Sequence, residues 1–295
     1  MTERIPVYAV VGPTATGKST YAVKLAKELG GEIVSGDSMQ IYRGMDIGTA
    51  KASPEKQGGV PHHLLDIADI TEPFSAGKFM EQARQAIADI YARGKLPIIC
   101  GGTGLYIELL LTGKQLPETT ADTNLRESLF CYAEENGNEA LHELLKKEDP
   151  ASAAAIHPNN VKRVVRALEI CRTAGMTKTQ ADEKSREGEN PYLPHIIRLT
   201  TGDRDKLYAR IDTRVDEMFA LGLENEVRAL CEKGLRDTPT ASQAIGYKEF
   251  YSYFDGFTTL EEVRQAICLH TRHYAKRQET WFSRMHTDET VMLTF

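Results

Sequence analysis

Residues 12–19 read GPTATGKS. Gly12, Gly17, Lys18 and Ser19 fill the spacing GxxxxGK[ST], which is built to hold phosphate. Glycines let successive backbone N–H groups turn onto phosphate oxygens, and the helix that follows adds partial positive charge. Lys18 supplies a full charge, and the Ser19 hydroxyl is suited to ligate Mg²⁺. A second cluster is SGDSMQIYRGMDIGTAK (35–51), whose Asp37 is the best acidic candidate near that loop. It has three readings: a Mg²⁺ ligand, a general base, or a turn cap beside Ser38. Hydrolases and small-molecule kinases with this loop usually set an aspartate at the end of another apolar strand to hold Mg²⁺. Here the third apolar run, PIIC, ends instead in Gly101-Gly102-Thr103-Gly104. The loop identifies phosphate but leaves open which bond beside it is broken. His62 and His63 sit side by side, so on a strand they point to opposite faces. Without a neighbouring Cys or third His, they read as structural or pocket residues rather than metal ligands.

These groups need elements to hold them. VYAVV (7–11) is a short valine-rich apolar run, predicted to be a buried strand. The glycine loop follows, then a helix with Tyr21, Leu25 and Leu29 at helical spacing, stopping at Gly30-Gly31. EIVSGDS reads as a second strand ending at Asp37, residues 76–95 as an amphipathic helix, and LPIIC (96–100) as a third strand. Strand, helix, strand, helix, strand indicates a parallel sheet with right-handed crossovers. Residues 117–190 are helical and highly charged, without a convincing strand; HIIRLTT (195–201) is again a strand, and from Asp203 onward the chain reads as helical. The expected fold is α/β: a P-loop NTPase-like parallel-sheet core from 1–116 and 191–295, interrupted by a mostly helical insertion over 117–190.

The totals set outer bounds. With 295 residues, 41% hydrophobic and 26% charged, the chain has an ordinary globular composition. No apolar run approaches the roughly 20 residues of a membrane span, and the N-terminus does not read as a secretory signal. The five cysteines are scattered and unpaired in motif, which fits a reducing compartment; a cytoplasmic location is expected. The net charge of −6 argues mildly against a polyanion partner, although a local basic groove can coexist with it.

Taken together, GPTATGKS, SGDSMQIYRGMDIGTAK, VPHHLLDI (60–67), GGTGLY (101–106), VKRVVRALE (161–169), LYARIDTRVDEM (207–218) and SQAIGYKE (242–249) resemble the tRNA dimethylallyltransferases, or tRNA isopentenyltransferases. The likeness runs over nearly the whole chain, in order and spacing. It implies transfer of a dimethylallyl group from dimethylallyl diphosphate to the N6 amine of the adenosine 3′ to the anticodon. The bond broken would then be carbon–oxygen, and the loop would cradle a leaving diphosphate.

By that resemblance Asp37 is the base, Thr14 donates to the departing oxygen, and Arg214 clamps the diphosphate. Arg210, at i and i+4 with Arg214, shares its helix face, and an arginine fork suits diphosphate. Gly12, Thr14, Ala15, Thr16, Gly17, Lys18, Ser19 and Thr20 form the rest of the diphosphate set, with Mg²⁺ on Ser19. Ser38, Met39, Gln40 and Thr103 are expected against the acceptor base. Further tRNA contacts are expected from Arg126, from Val161, Lys162, Arg163, Val164 and Val165, from Gln243 and Tyr247, and from Lys276 and Arg277. The last two lie in HTRHYAKRQETWFSRMH (270–286), where Arg272 and Arg284 are interleaved with Tyr274, Trp281 and Phe282. The expected partners are the tRNA anticodon stem-loop and the allylic diphosphate, with no membrane and the chain acting as a monomer. The alternatives are an adenylate isopentenyltransferase acting on free AMP, ADP or ATP, a P-loop small-molecule kinase, and an RNA-binding protein with a relict loop.

Overall fold

The computed structural model describes residues 4–114, 122–185 and 189–294. Among the described residues six strands form one sheet: β1 (Ile5–Val11), β2 (Gly31–Ser35), β3 (His62–His63), β4 (Leu96–Gly101), β5 (Tyr192–Thr200) and β6 (Glu289–Met292). Their order across the sheet is β3-β2-β4-β1-β5-β6, and every neighbouring pair is parallel. The central strand β1 is buried at Val7, Ala9, Val10 and Val11, as expected of a parallel strand covered on both faces. Val10 is in register with Cys100 of β4 on one side and Ile197 of β5 on the other.

Helix Lys18–Leu29 stops at Gly30, whose left-handed backbone returns its N–H to the Ala26 carbonyl. Helix Ala76–Ala92 starts at Ser75, whose side chain accepts from the Lys78 N–H, and buries Phe79, Met80, Ala83, Ile87 and Ile90. Phe79, Met80, Ile87 and Ile90 each contribute about 1.5–3 kcal/mol when fully withdrawn from water. The parallel arrangement brings the carboxyl ends of β1, β2 and β4 to one edge of the sheet, where the phosphate loop, Asp37 and Thr103 begin. That edge is where ligands bind in open parallel sheets.

The carboxyl-terminal stretch departs from the expectation of helix to the end. Helix Leu260–Phe282 is followed by β6, which extends the sheet beside β5. It is a short edge strand, exposed at Glu289, Thr290 and Met292, so it carries no apolar alternation to betray it.

The chain divides into two compact units, Met1–Thr112 with Pro191–Phe295, and Gly113–Asn190. The expected boundary at 116/117 lies outside the described residues. The second unit contains helices Thr123–Asn136, Asn138–Glu148, Pro150–Ala155, Val161–Thr173 and Lys178–Lys184. Its own core gathers Leu129, Leu141, Leu145, Val164 and Leu168. Two buried carboxylates tie its helices. Asp149 accepts from the Ser152 and Thr179 N–H groups, and although burial opposes it, these bonds hold its carboxyl down to about 2. Glu169 is paired with Arg126 at 2.8 Å and with Arg166 at 2.5 Å.

Candidate active site

The phosphate loop turns between β1 and helix Lys18–Leu29. Gly12 has φ 141°, and a Cβ there would lie 2.2 Å from the Leu199 carbonyl oxygen, so no side chain fits. Ala15 and Gly17 are left-handed at φ 62° and 82°, which folds the loop into a concave nest of backbone N–H groups. Thr16 Oγ1 and Lys18 Nζ both donate to the Pro13 carbonyl, at 2.8 and 2.5 Å, closing the loop on itself. Burial lowers the Lys18 ammonium to about 8; nearby Arg214 adds to the effect, while Cys100 and Asp37 oppose it.

Helix Arg204–Ala220 brings two arginines to this loop. Arg210 Nε donates to the Ala15 carbonyl at 3.0 Å, and Arg214 donates to the Thr14 hydroxyl at 3.2 Å. Two of the neighbouring carboxylates are taken up elsewhere: Asp212 pairs with Arg272, and Asp216 with Arg264, whereas Glu217 lines the second cavity with Arg214. The two arginines therefore differ in task. Arg210 holds the loop backbone, whereas Arg214 presents its guanidinium beside Thr14 in the cavity.

That cavity is about 340 Å³. Thr14, Lys18, Ser19, Asp37 and Arg214 line it with polar atoms, and Ile211, Val215, Met218 and Ile267 with apolar ones. A polar end beside an apolar wall suits an anion bearing a short hydrocarbon. A second cavity of about 640 Å³ shares Lys18, Ser19, Ala50, Arg214 and Met218 with the first.

Asp37 is both a cap and a candidate base. Its Oδ1 accepts from the Met39 and Gln40 N–H groups at 2.9 and 3.4 Å. Both bonds fall on one oxygen, which leaves Oδ2 to receive a proton. Thr103, in the turn after β4, accepts from the Ser38 N–H at 3.0 Å and donates to the Ser38 hydroxyl at 3.3 Å. Ser38, Met39 and Gln40 line the cavity, and Gln40 reaches the Thr49 carbonyl at 3.1 Å. The structure thus brings Thr14, Lys18, Ser19, Asp37, Ser38, Met39, Gln40 and Arg214 around one space, with Thr103 bonded to its rim.

The expected RNA contacts divide. Gln243 is exposed and lines the cavity, as does Arg277, which lies over the Tyr274 ring at 5.6 Å. Lys276 is exposed on the same helix. Tyr247 is not an RNA contact: it is fully buried, and its hydroxyl donates to Glu226 at 2.7 Å. Arg272 is engaged with Asp212 and half-buried, and Phe282 is fully buried. In the helical unit Lys162 and Arg163 are exposed, and Val161 is half-buried. Val164 and Val165 are buried in that unit's own core, so their side chains cannot reach a ligand. Arg126 is tied to Glu169 with part of its side chain exposed, and Arg172 is paired with Glu148 at 2.7 Å. His63 pairs with Glu32 at 2.7 Å, and His62 Nδ1 meets the Val60 carbonyl at 2.8 Å.

Two residues with evident roles escaped sequence reasoning. Gln278, on helix Leu260–Phe282, bonds both the phosphate loop and the turn after β4. Glu226 accepts from the N–H groups of Asp46, Ile47 and Gly48 at 3.1, 2.8 and 3.1 Å. Gln278 lies within the stretch 270–286, but the basic and aromatic residues around it carry that stretch's signal; Glu226 belongs to no motif, and a single Gln or Glu on a charged helix gives none.

For a divalent metal the donor set is sparse. Ser19 and Asp37 offer a hydroxyl and a carboxylate on the same cavity, and Cys100 beside Ser19 has its thiol pushed up to about 11 by burial. Among the described residues no group of three or more His, Cys, Asp or Glu is arranged to hold a metal. An oxygen-only pair fits Mg²⁺, which keeps several waters and leans on substrate phosphate oxygens. Among the described residues no helix is long and apolar enough to cross a membrane.

Comparison with known proteins shows the family. The family model for IPP transferase matches residues 40–285. The tRNA dimethylallyltransferase of Geobacillus thermodenitrificans is 53% identical over 282 residues, covering 96% of this chain and 88% of that one. The Bacillus subtilis tRNA dimethylallyltransferase is 50% identical, covering 94% and 87%. The crystal structure of the full-length tRNA isopentenylpyrophosphate transferase from Bacillus halodurans superposes with a TM-score of 0.72 at 46% identity, covering 98% and 91%. A eukaryotic dimethylallyltransferase acting on tRNA superposes with a TM-score of 0.79 at 30% identity, covering 94% of this chain and 70% of that one.

Proposed function

Because the chain belongs to the IPP transferase family, with the tRNA dimethylallyltransferases as its relatives, we propose that it prenylates tRNA. It transfers dimethylallyl from dimethylallyl diphosphate to N6 of the adenosine 3′ to the anticodon. The observation that carries this reading is the shared cavity, lined by the phosphate loop, Arg214 and Asp37 together.

The chemistry follows from the charges. The allylic carbon–oxygen bond breaks as the carbon–N6 bond forms, and diphosphate leaves with growing negative charge. Donors aimed at that charge stabilise the transition state more than the ground state. The loop N–H groups, Lys18 and Arg214 are these donors. Thr14 accepts from Arg214, which leaves its own hydroxyl proton to point at the departing oxygen. Ser19 would hold Mg²⁺, which when bound would supply further positive charge to the diphosphate. An aromatic amine is a poor nucleophile, because its lone pair is delocalised into the ring. Asp37 Oδ2 takes one N6 proton, localises that pair and orients it. The apolar wall of Ile211, Val215 and Ile267 shields the five-carbon group from water.

The adenosine must leave its stack, at a cost of a few kcal/mol that is smaller in an unpaired loop. Lys162 and Arg163 on one unit and Lys276 and Arg277 on the other supply phosphate contacts. The enzyme acts as a monomer in the cytoplasm.

The test is transfer of radiolabelled dimethylallyl from its diphosphate to unmodified tRNA or to AMP, for the wild type and Asp37→Asn. The asparagine Oδ1 keeps both turn bonds and removes only the base, so label should appear on wild-type tRNA and fall by about 10²–10⁴ in the variant. Label on AMP alone would assign the chain to free-nucleotide chemistry. Nucleotide hydrolysis without transfer would make the loop an ordinary NTPase loop.

A further inference from the structure

Gln278 joins the two halves of the cavity. Its Oε1 accepts the Thr14 N–H at 2.8 Å, and its Nε2 donates to the Gly102 carbonyl at 2.9 Å. The side chain is 5% exposed, so water does not substitute for either bond. Thr14 belongs to the donor end. Gly102 precedes Thr103, whose hydroxyl holds Ser38 beside Asp37, at the acceptor end. One buried amide thus spans from the loop that takes the diphosphate to the turn that aligns the base. Its ends are not interchangeable, because the loop offers a donor and the turn an acceptor. The fit on the turn side is tight: a Cβ at Gly102 would lie 2.1 Å from Gln278 Nε2, and the nearest atom outside Gln278 would be 3.9 Å away.

We infer that Gln278 is a positioning residue that sets the gap between the allylic carbon and the acceptor amine. The inference rests on the prenyl-transfer reading above. Attack requires reacting atoms about 3–3.5 Å apart, and a misplacement of about 1 Å can cost about 10² in rate. Gln278 lines the same cavity, but both ends of its amide are committed to Thr14 and Gly102. Its loss leaves Lys18, Arg214 and the RNA-binding surface intact, so binding persists while registration fails. Diphosphate can still depart, and water then attacks the allylic carbon in place of N6. That step breaks carbon–oxygen, forms a new carbon–oxygen bond to water, and releases dimethylallyl alcohol, diphosphate and a proton.

The experiment measures steady-state transfer to tRNA, released dimethylallyl alcohol and thermal midpoint for wild type, Gln278→Glu, Gln278→Ala, Gly102→Ala and the double variant Gln278→Ala/Gly102→Ala. Gln278→Glu keeps the size but sets an acceptor against the Gly102 carbonyl. Gly102→Ala displaces the amide from the other side with Gln278 still present. Each single variant should lower kcat about 10- to 100-fold, leave both KM values within about threefold, and raise the ratio of alcohol to prenylated tRNA. In the double variant the Gly102→Ala effect should vanish, since the group it displaces is gone. Raised KM with unchanged kcat, additive losses in the double variant, or lower thermal midpoints with normal kcat and no alcohol would each overturn the inference while leaving the function standing. A wild type that transfers no label to tRNA would overturn both.

Discussion

The guanidinium of Arg214 lies 3.2 Å from the Thr14 hydroxyl and donates to it, while Arg210, one turn earlier, is spent on the Ala15 carbonyl. The same helix face thus holds one arginine bonded to the loop backbone and one that lines the cavity. Arg214→Ala should lower kcat by about 10²–10³, the loss typical of one preorganised donor to a developing anion. Arg214→Lys should recover little, since a point charge cannot serve Thr14 and diphosphate together. Arg210→Ala removes a bond to the loop backbone worth about 1 kcal/mol, so its effect should stay below tenfold and fall on donor KM. Single-turnover rates and donor titrations separate the two. Equal losses in kcat for both alanine variants would mean that they act as one clamp.

Much of this arrangement was legible in the sequence, because it is carried by runs and spacings. The apolar runs ending at Val11, Ser35 and Gly101 read as strands since parallel strands are buried on both faces. The loop after β1 and Asp37 after β2 then fell at one edge by topology alone. What could not be read has no period. β6 is an exposed edge strand whose pairing is made by backbone atoms. Gln278 and Glu226 act through single side chains on helices far along the chain. The family likeness drew Tyr247 into the RNA set with its segment, but a segment near RNA also contains the residues that support it. The same reasoning overreached for Val164 and Val165, where the helix carries its basic face outward and its valines into the core.

Lys18 sets the pH behaviour of donor binding. Burial brings its ammonium down to about 8, so in the free enzyme it is charged below that pH and neutral above it. Diphosphate favours the charged form. Donor affinity should therefore be flat below pH 8 and weaken above it by up to about tenfold per unit, with a proton taken up on binding. The sign for stability is opposite. The folded pKa lies below the ordinary lysine value of 10.5, so the unfolded chain holds more protons between about 8 and 10.5, and this group adds stability as pH rises through that window. Calorimetry in buffers of different ionisation enthalpy, with Lys18→Met as the control, measures the proton count. No uptake at pH 9 in the wild type would place the lysine outside the diphosphate site.

Glu226 anchors the segment that ends in Gly48 and Thr49, on the cavity wall. It receives three consecutive N–H groups and the Tyr247 hydroxyl. Glu226→Ala leaves these donors unmet and should lower stability by about 2–4 kcal/mol. Tyr247→Phe loses one bond and should cost about 1 kcal/mol. Neither should change the affinity for tRNA by more than about threefold, because both groups lie behind the wall. Urea denaturation and tRNA titration together decide this. A tenfold weaker tRNA complex for Tyr247→Phe at unchanged stability would restore Tyr247 to the RNA surface.

Salt dependence discriminates among the basic residues, since each phosphate neutralised by Lys or Arg releases condensed counterions. Lys162, Arg163, Lys276 and Arg277 are exposed, whereas Arg272, Arg264 and Arg198 are bound to Asp212, Asp216 and Glu279. The first group should carry the dependence. Each alanine substitution there should reduce the slope of log affinity against log salt by about 0.7–1. Arg264→Ala, although it removes the same charge, should leave the slope unchanged and act on stability instead. Arg277 is the informative case, because it lines the cavity and lies over Tyr274. If it contacts the acceptor base rather than a phosphate, Arg277→Ala should lower affinity about tenfold with little change in slope, as expected for a base contact worth about 1–3 kcal/mol. A slope that falls with Arg264→Ala and not with Lys162→Ala or Lys276→Ala would move the RNA path off the surfaces named here.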